Sequence, residues 1–161
     1  IAGVQGDATN TARMEGYREG VNEAGGEFLD AETQYANATA DLAVTAMEGI
    51  MSKYPDGVAI ICSNNDDMAL AAARTAKSNP NYAKTIFLGF DGQKSACEAV
   101  AAGELTMTAA QNNFDIGYKA VETMVKILKG EQYDKVVDTG TEIITKDNAE
   151  ARLTKFNEWM K

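Results

Sequence analysis

The chain has 161 residues, 45% of them hydrophobic, and a net charge of −9, which is one ordinary domain's worth of foldable sequence. Its lysines and arginines are scattered, which disfavours a nucleic-acid surface, and no apolar run approaches the roughly 20 residues of a membrane span. Histidine is absent, which removes the usual base of a serine or cysteine nucleophile and a common zinc or iron ligand. Lysine or carboxylate bases such as Asp91 stay open to an α/β enzyme, but no acid–base pair or metal cluster stands out, so the chain reads as a non-enzyme with no cofactor and no metal.

The opening residues, Ile1-Ala2-Gly3-Val4-Gln5, read as a strand already inside a fold. No basic and apolar signal segment precedes them, so any export signal or lipid-anchor cysteine is expected upstream. A helix is expected over 9–24, capped by Thr9 or Asn10 and stopped at Gly25-Gly26. Residues 27–32 suggest a strand, and 39–53 a helix whose apolar face includes Leu42, Met47, Ile50 and Met51. After the turn Pro55-Asp56-Gly57, the continuous apolar run Val58–Cys62 has the character of a strand buried on both faces. An alanine-rich helix over 66–77 ends near Asn79-Pro80, and Thr85–Phe90 repeats the buried-strand pattern. A helix over 93–102 stops at Gly103, and Leu105–Ala110 follows as a strand. Cys62 and Cys97 fall at apolar positions and read as small core residues rather than as a disulfide framework.

The last third differs. Phe114, Tyr118, Val121, Val125 and Leu128 recur at helical spacing, predicting an amphipathic helix over 113–129 that stops at Gly130. A weakly patterned stretch leads to Glu142-Ile143-Ile144-Thr145, and a final helix is expected over about 147–160 with Leu153, Phe156 and Met160 facing inward. Strands alternating with helices over short connections predict a doubly wound α/β fold. Five strands ending near Gly6, Glu32, Cys62, Phe90 and Ala110 are expected to form one mainly parallel sheet with helices on both faces.

In such sheets ligands bind beyond the carboxyl ends of the strands. Here those ends deliver Gly6-Asp7 with Arg13 close behind, Ser63-Asn64-Asn65-Asp66-Asp67, Asp91, and Gln111-Asn112-Asn113. Each of these types is also a normal turn or cap residue, and Asp66 or Asp67 would serve as a cap. Arg13 would equally pair with Glu15 or Asp7 on the surface. Together, though, amide, carboxylate and guanidinium groups at one edge suit a neutral ligand dense in hydroxyls, because each hydroxyl both donates and accepts. The stretch Gly89–Ser95 has the wrong spacing for a phosphate loop.

Four segments in order resemble the type I periplasmic sugar-binding proteins, above all those of the ribose-binding kind: Gly6 to Tyr17 with Arg13 and Glu15-Gly16-Tyr17, Asn65-Asp66-Asp67-Met68-Ala69, Gly89-Phe90-Asp91-Gly92, and Thr106 to Gly117. The resemblance implies sugar contacts by Arg13, Asn65, Asp91 and Gln111. Many relatives stack an aromatic on the sugar just before the second helix. Aligning on Met47 puts Ala38 there, and Tyr35, three residues earlier, is the substitute candidate. Asn37-Ala38-Thr39 forms a glycosylation sequon, which reads as chance in a bacterial protein.

The family fold has two lobes closing on a sugar. The resemblance implies that residues 1–110 are the C-terminal sugar-binding lobe, that 111–137 cross over to pack on an N-terminal lobe not contained here, and that 138–161 return as a last segment and helix. It implies half a binding site, an exposed apolar patch at Phe114, Tyr118 and Val121, and self-association or weak stability of the isolated chain. Its implied partners are a monosaccharide or similar polyol and the membrane permease of an ABC importer, in the periplasm or on the cell surface as a lipoprotein. The alternative is the effector-binding core of a lactose-repressor-type regulator, which shares the fold; the acidic balance and the tail Ile-Ile-Thr-Lys-Asp-Asn favour the transport protein.

Overall fold

A computed structural model describes residues 1–159. Four strands, β1 (Ile60–Cys62), β2 (Ile86–Asp91), β3 (Met107–Gln111) and β4 (Thr141–Ile144), are hydrogen-bonded in that order. β1 and β2 pair in parallel, as do β2 and β3. β4 runs antiparallel to β3, with Gln111 opposite Thr141 and Thr108 opposite Ile144. The helices are α1 (Ala8–Glu23), α2 (Ala40–Lys53), α3 (Asp66–Ala76), α4 (Lys94–Ala102), α5 (Asn113–Lys129) and α6 (Ala149–Trp159). The result is the expected α/β class, a mainly parallel sheet flanked by helices.

The core lies where short side chains let elements approach closely. α2 packs on α3, and the buried residues there are mostly alanines: Ala43 and Ala46 on one helix, Ala69, Ala72, Ala73 and Ala76 on the other. Met47 and Met68 are fully buried among them, each contributing about 1.5–3 kcal/mol by leaving water. α6 packs on α4, with Leu153 and Phe156 against the core as the spacing predicts; Met160 lies outside the described residues. Cys97 is buried and Cys62 half-buried, both free, and burial pushes both thiols up to about 11, so they are inert at neutral pH.

Five expectations need correction. Residues 1–5 do not form a full strand: Ile1 bonds to Cys62 and Asn64 on one side, and Ala2 bridges to Tyr35 on the other. Nor does 27–32, which ends in a short 3₁₀ turn at Asp30–Glu32. A strand needs a bonded neighbour, and an apolar groove of about 230 Å³ separates 26–33 from 58–62. The fourth strand is instead Thr141–Ile144, and it is the antiparallel one. The cap of α1 is Asp7, whose carboxylate accepts from the Asn10 amide at 2.7 Å, rather than Thr9 or Asn10. Leu42 is exposed, since α2 turns Ala43, Ala46 and Met47 inward. The α5 face is open as expected: none of the helix is buried, and Phe114, Tyr118, Val121, Met124, Val125 and Leu128 are all exposed.

Candidate functional site

Parallel pairing sets the carboxyl ends of β1, β2 and β3 side by side, and α1 runs across that edge. Arg13 projects from α1 onto it. Its guanidinium donates to the Asn64 carbonyl at 2.7 Å, lies 3.1 Å from the Asp91 carboxylate and sits 3.9 Å from the centre of the Phe90 ring. The side-chain amide of Gln111, at the end of β3, donates to the same carboxylate at 2.6 Å. Residues 13, 91 and 111 thus form one cluster, with Arg13 paired to Asp91 and not to Glu15 or Asp7. The pair is only partly buried, at 17% and 25% side-chain exposure, so it remains open to a ligand.

The backbone of Asp91 has φ +112°. A non-glycine residue held there costs on the order of 1–3 kcal/mol. Strand β2 carries that strain to aim the carboxylate sideways at Arg13 and Gln111.

A pocket of about 310 Å³ in front of the cluster is lined by Arg13, Asp91, Asn65, Asn64, Asp7 and Ala38 among others. A wider recess of about 740 Å³ adjoins it, lined by Arg13, Phe90, Gln111, Tyr17 and the returning Asp138–Thr141. Asn65 spends its carbonyl oxygen capping α3, accepting from Met68 N–H at 2.9 Å, while its NH₂ donates to the Ala38 carbonyl at 3.1 Å. It is a cap that also walls the pocket. Tyr35 lines neither space and is 42% exposed. Asn37 and Ala38 both have positive φ (47° and 62°), and this turn leaves Ala38, not Tyr35, on the pocket wall.

Several supporting residues escaped the sequence reading. Tyr17 shares its one hydroxyl proton between the carbonyls of Ser63, just after β1, and Gly89, within β2, and burial raises its pKa well above the usual range. Asn10 is buried and accepts from Gly3 N–H and the Asn64 amide, both at 2.5 Å. The motifs containing Tyr17 and Phe90 were the available signals, but nothing in spacing distinguishes a stacking Phe90 from a core one.

Asp66 lies fully buried beneath the cluster. It accepts from the Thr108 hydroxyl at 2.6 Å and from Gln93 N–H at 2.7 Å, so one carboxyl joins α3, β3 and the loop after β2. Desolvation pushes its pKa up to about 6, against the lowering effect of these bonds. The folded state therefore holds a proton that the unfolded chain gives up near pH 4. The stability this contributes is complete below pH 4 and is lost as pH rises through 6. In urea titrations at pH 4 and pH 7, the advantage of the wild-type chain over Asp66→Asn is expected to shrink by on the order of 2 kcal/mol. An advantage that is constant with pH contradicts the buried proton.

A periplasmic binding protein domain matches residues 1–132 of this chain. The ribose import binding protein of Escherichia coli K12 is 31% identical over 146 residues, 91% of this chain and 48% of that protein. The D-allose-binding periplasmic protein of the same organism is 33% identical over 125 residues, 78% of this chain and 40% of that protein. Among solved structures, a Caulobacter myo-inositol binding protein bound to myo-inositol superposes with a TM-score of 0.84 at 26% identity, over 96% of this chain and 53% of that one. The chain spans about half the length of the curated relatives it matches.

Proposed function

This chain belongs to the periplasmic binding protein domain family, and on that premise we propose that it forms one lobe of a two-lobed protein that binds a monosaccharide or polyol and delivers it to an ABC importer. The observation that carries the reading is the strained Asp91, held between Arg13 and Gln111 at the carboxyl edge of the sheet. Together with Asn65, these groups offer a carboxylate, a guanidinium and amides, the set that satisfies hydroxyls acting as donors and acceptors at once. A cation already paired with a carboxylate leaves little net charge for a phosphate, which favours a neutral ligand. The relatives named for ribose, D-allose and myo-inositol supply the candidate class. A chain of this function transports rather than transforms its ligand, and it works outside the cytoplasm, in the periplasm or held at the cell surface by a lipid anchor.

In this reading residues 1–110 are the C-terminal sugar-binding lobe, 111–137 cross to pack the apolar face of α5 on the second lobe, with Gln111 at the start of the crossover completing the site, and 138–161 return. Closure of the lobes replaces the water around the ligand with polar groups from both sides. Tyr35, outside the pocket, would serve only if closure or ligand turned it inward, and the open face of α5 is expected to favour self-association of the chain alone.

A thermal-shift screen of the full two-lobed protein with D-ribose, D-allose and myo-inositol, followed by calorimetry, tests the proposal. At least one is expected to raise the melting temperature and bind with micromolar affinity or tighter, about −8 kcal/mol. The 161-residue chain alone is expected to bind that sugar at least about a hundredfold more weakly. No shift with any sugar or polyol overturns the sugar-binding reading. Equal affinity in the chain alone overturns the half-site.

A further inference from the structure

We infer that Arg152, in the C-terminal helix, is a positioning residue for the ligand site, acting through Gln111. The inference rests on the site proposed above and lies outside residues 1–132, where the family match ends. Arg152 is a cation only 2% exposed, drawn from α6 into the edge of the sheet. Its guanidinium donates to the backbone carbonyl of Gln111 at 2.7 Å and lies 3.6 Å from the Glu142 carboxylate. The rings of Phe156 and Trp159 lie 5.3 and 5.0 Å from its centre. Its Nε–H is buried without an acceptor among the described residues.

An arginine seeking only Glu142, itself 42% exposed, would find it at the surface with all donors hydrated. Burial with one donor unmet is unfavourable, and the interaction that requires depth is the bond to the Gln111 carbonyl. That carbonyl belongs to the last residue of β3, where the ladder ends at the Gln111–Thr141 pair. The side chain of the same residue donates to Asp91. Arg152 thus fixes the backbone from which the Gln111 amide reaches the carboxylate, and the line Arg152–Gln111–Asp91–Arg13 joins the C-terminal helix to the pocket without Arg152 touching it.

A double-mutant cycle tests this in the full two-lobed protein, titrated with D-ribose, D-allose and myo-inositol. Gln111→Ala and Arg152→Met are each expected to weaken the bound sugar about tenfold, and the double variant to be no weaker than Gln111→Ala alone. A merely structural Arg152 would give losses that multiply. Multiplying losses, or a folded Arg152→Met with wild-type affinity, overturn the inference and leave the site reading standing. Wild-type affinity in Gln111→Ala overturns both. If Arg152→Met does not fold, Arg152→Lys takes its place. That variant keeps the charge without the planar fork, and a loss of about threefold is expected on the wild-type background and none on Gln111→Ala.

Discussion

Replacing Asp91 by alanine is expected to weaken sugar binding by the full protein ten- to a hundredfold while leaving its lobe folded. The carboxylate accepts from both Arg13 and Gln111, so it orients the two donors as well as meeting the ligand. Charge-assisted bonds of this kind are worth roughly 1.5–3 kcal/mol each, which converts to that range of affinity. Folding should tolerate the change because Arg13 keeps its bond to the Asn64 carbonyl and its contact with the Phe90 ring, and the pair is partly solvated rather than sealed in the core. Asp91→Gly sharpens the test. Glycine takes φ +112° without strain, so this variant should be at least as stable as Asp91→Ala and bind equally poorly. Calorimetry giving wild-type affinity for either variant would take the carboxylate out of the site.

A larger loss of stability is expected one residue further on. A Cβ added to Gly92 would lie 2.1 Å from the Cβ and 2.5 Å from the Cα of Ala110, on the neighbouring strand β3, in a backbone with φ +69°. The left-handed conformation costs alanine roughly 1–2 kcal/mol. Pushing β3 away adds an overpacking term of about 1–3 kcal/mol, because a bonded strand yields less readily than the tip of a flexible side chain. Gly92→Ala is therefore expected to destabilise the chain by about 2–5 kcal/mol, measured as a lower urea midpoint with unchanged slope. Gly103 supplies the control. It ends α4 at φ +77° with nothing within 4 Å of its added Cβ, so Gly103→Ala should cost only the conformational part, about 1–2 kcal/mol. Equal losses at the two positions would mean that β2 and β3 do not approach as closely as described.

Much of the fold was legible because burial leaves a mark on composition. β2 and β3 are apolar runs closed by polar ends, and α3 and α4 are rich in the alanines that close packing requires. Partnership leaves no such mark. Residues 27–32 have strand-like chemistry but face a groove, whereas Thr141–Ile144 is short and becomes a strand because β3 offers it an edge. The site divides in the same way. Asp91 and Gln111 could be nominated from the rule that strand ends carry ligands, since the rule concerns backbone topology, whereas Arg13, on α1, was reached through the family resemblance. That Asn65 would spend its oxygen on a cap, or that a left-handed turn at Asn37-Ala38 would leave Tyr35 off the pocket, depends on local backbone angles that residue types do not determine. Arg152 was beyond reach for a different reason: an arginine on a charged, solvent-rich helix normally stays outside, and only the depth of its bond to Gln111 marks it as a core residue.

The antiparallel pairing of β3 with β4 has one more consequence, for the polymer statistics of the chain. Residues 112–140 leave the sheet after Gln111 and return at Thr141, and those two residues are ladder partners. The whole excursion is thus a closed loop whose ends are pinned by the sheet rather than by its own contents. The entropy of closing such a loop grows only logarithmically with its length, by about 0.6 kcal/mol for each doubling. The exposed stretch after α5 can therefore gain or lose several residues at a closure cost of tenths of a kcal/mol, provided Asp138–Thr141 still return to the recess beside Gln111.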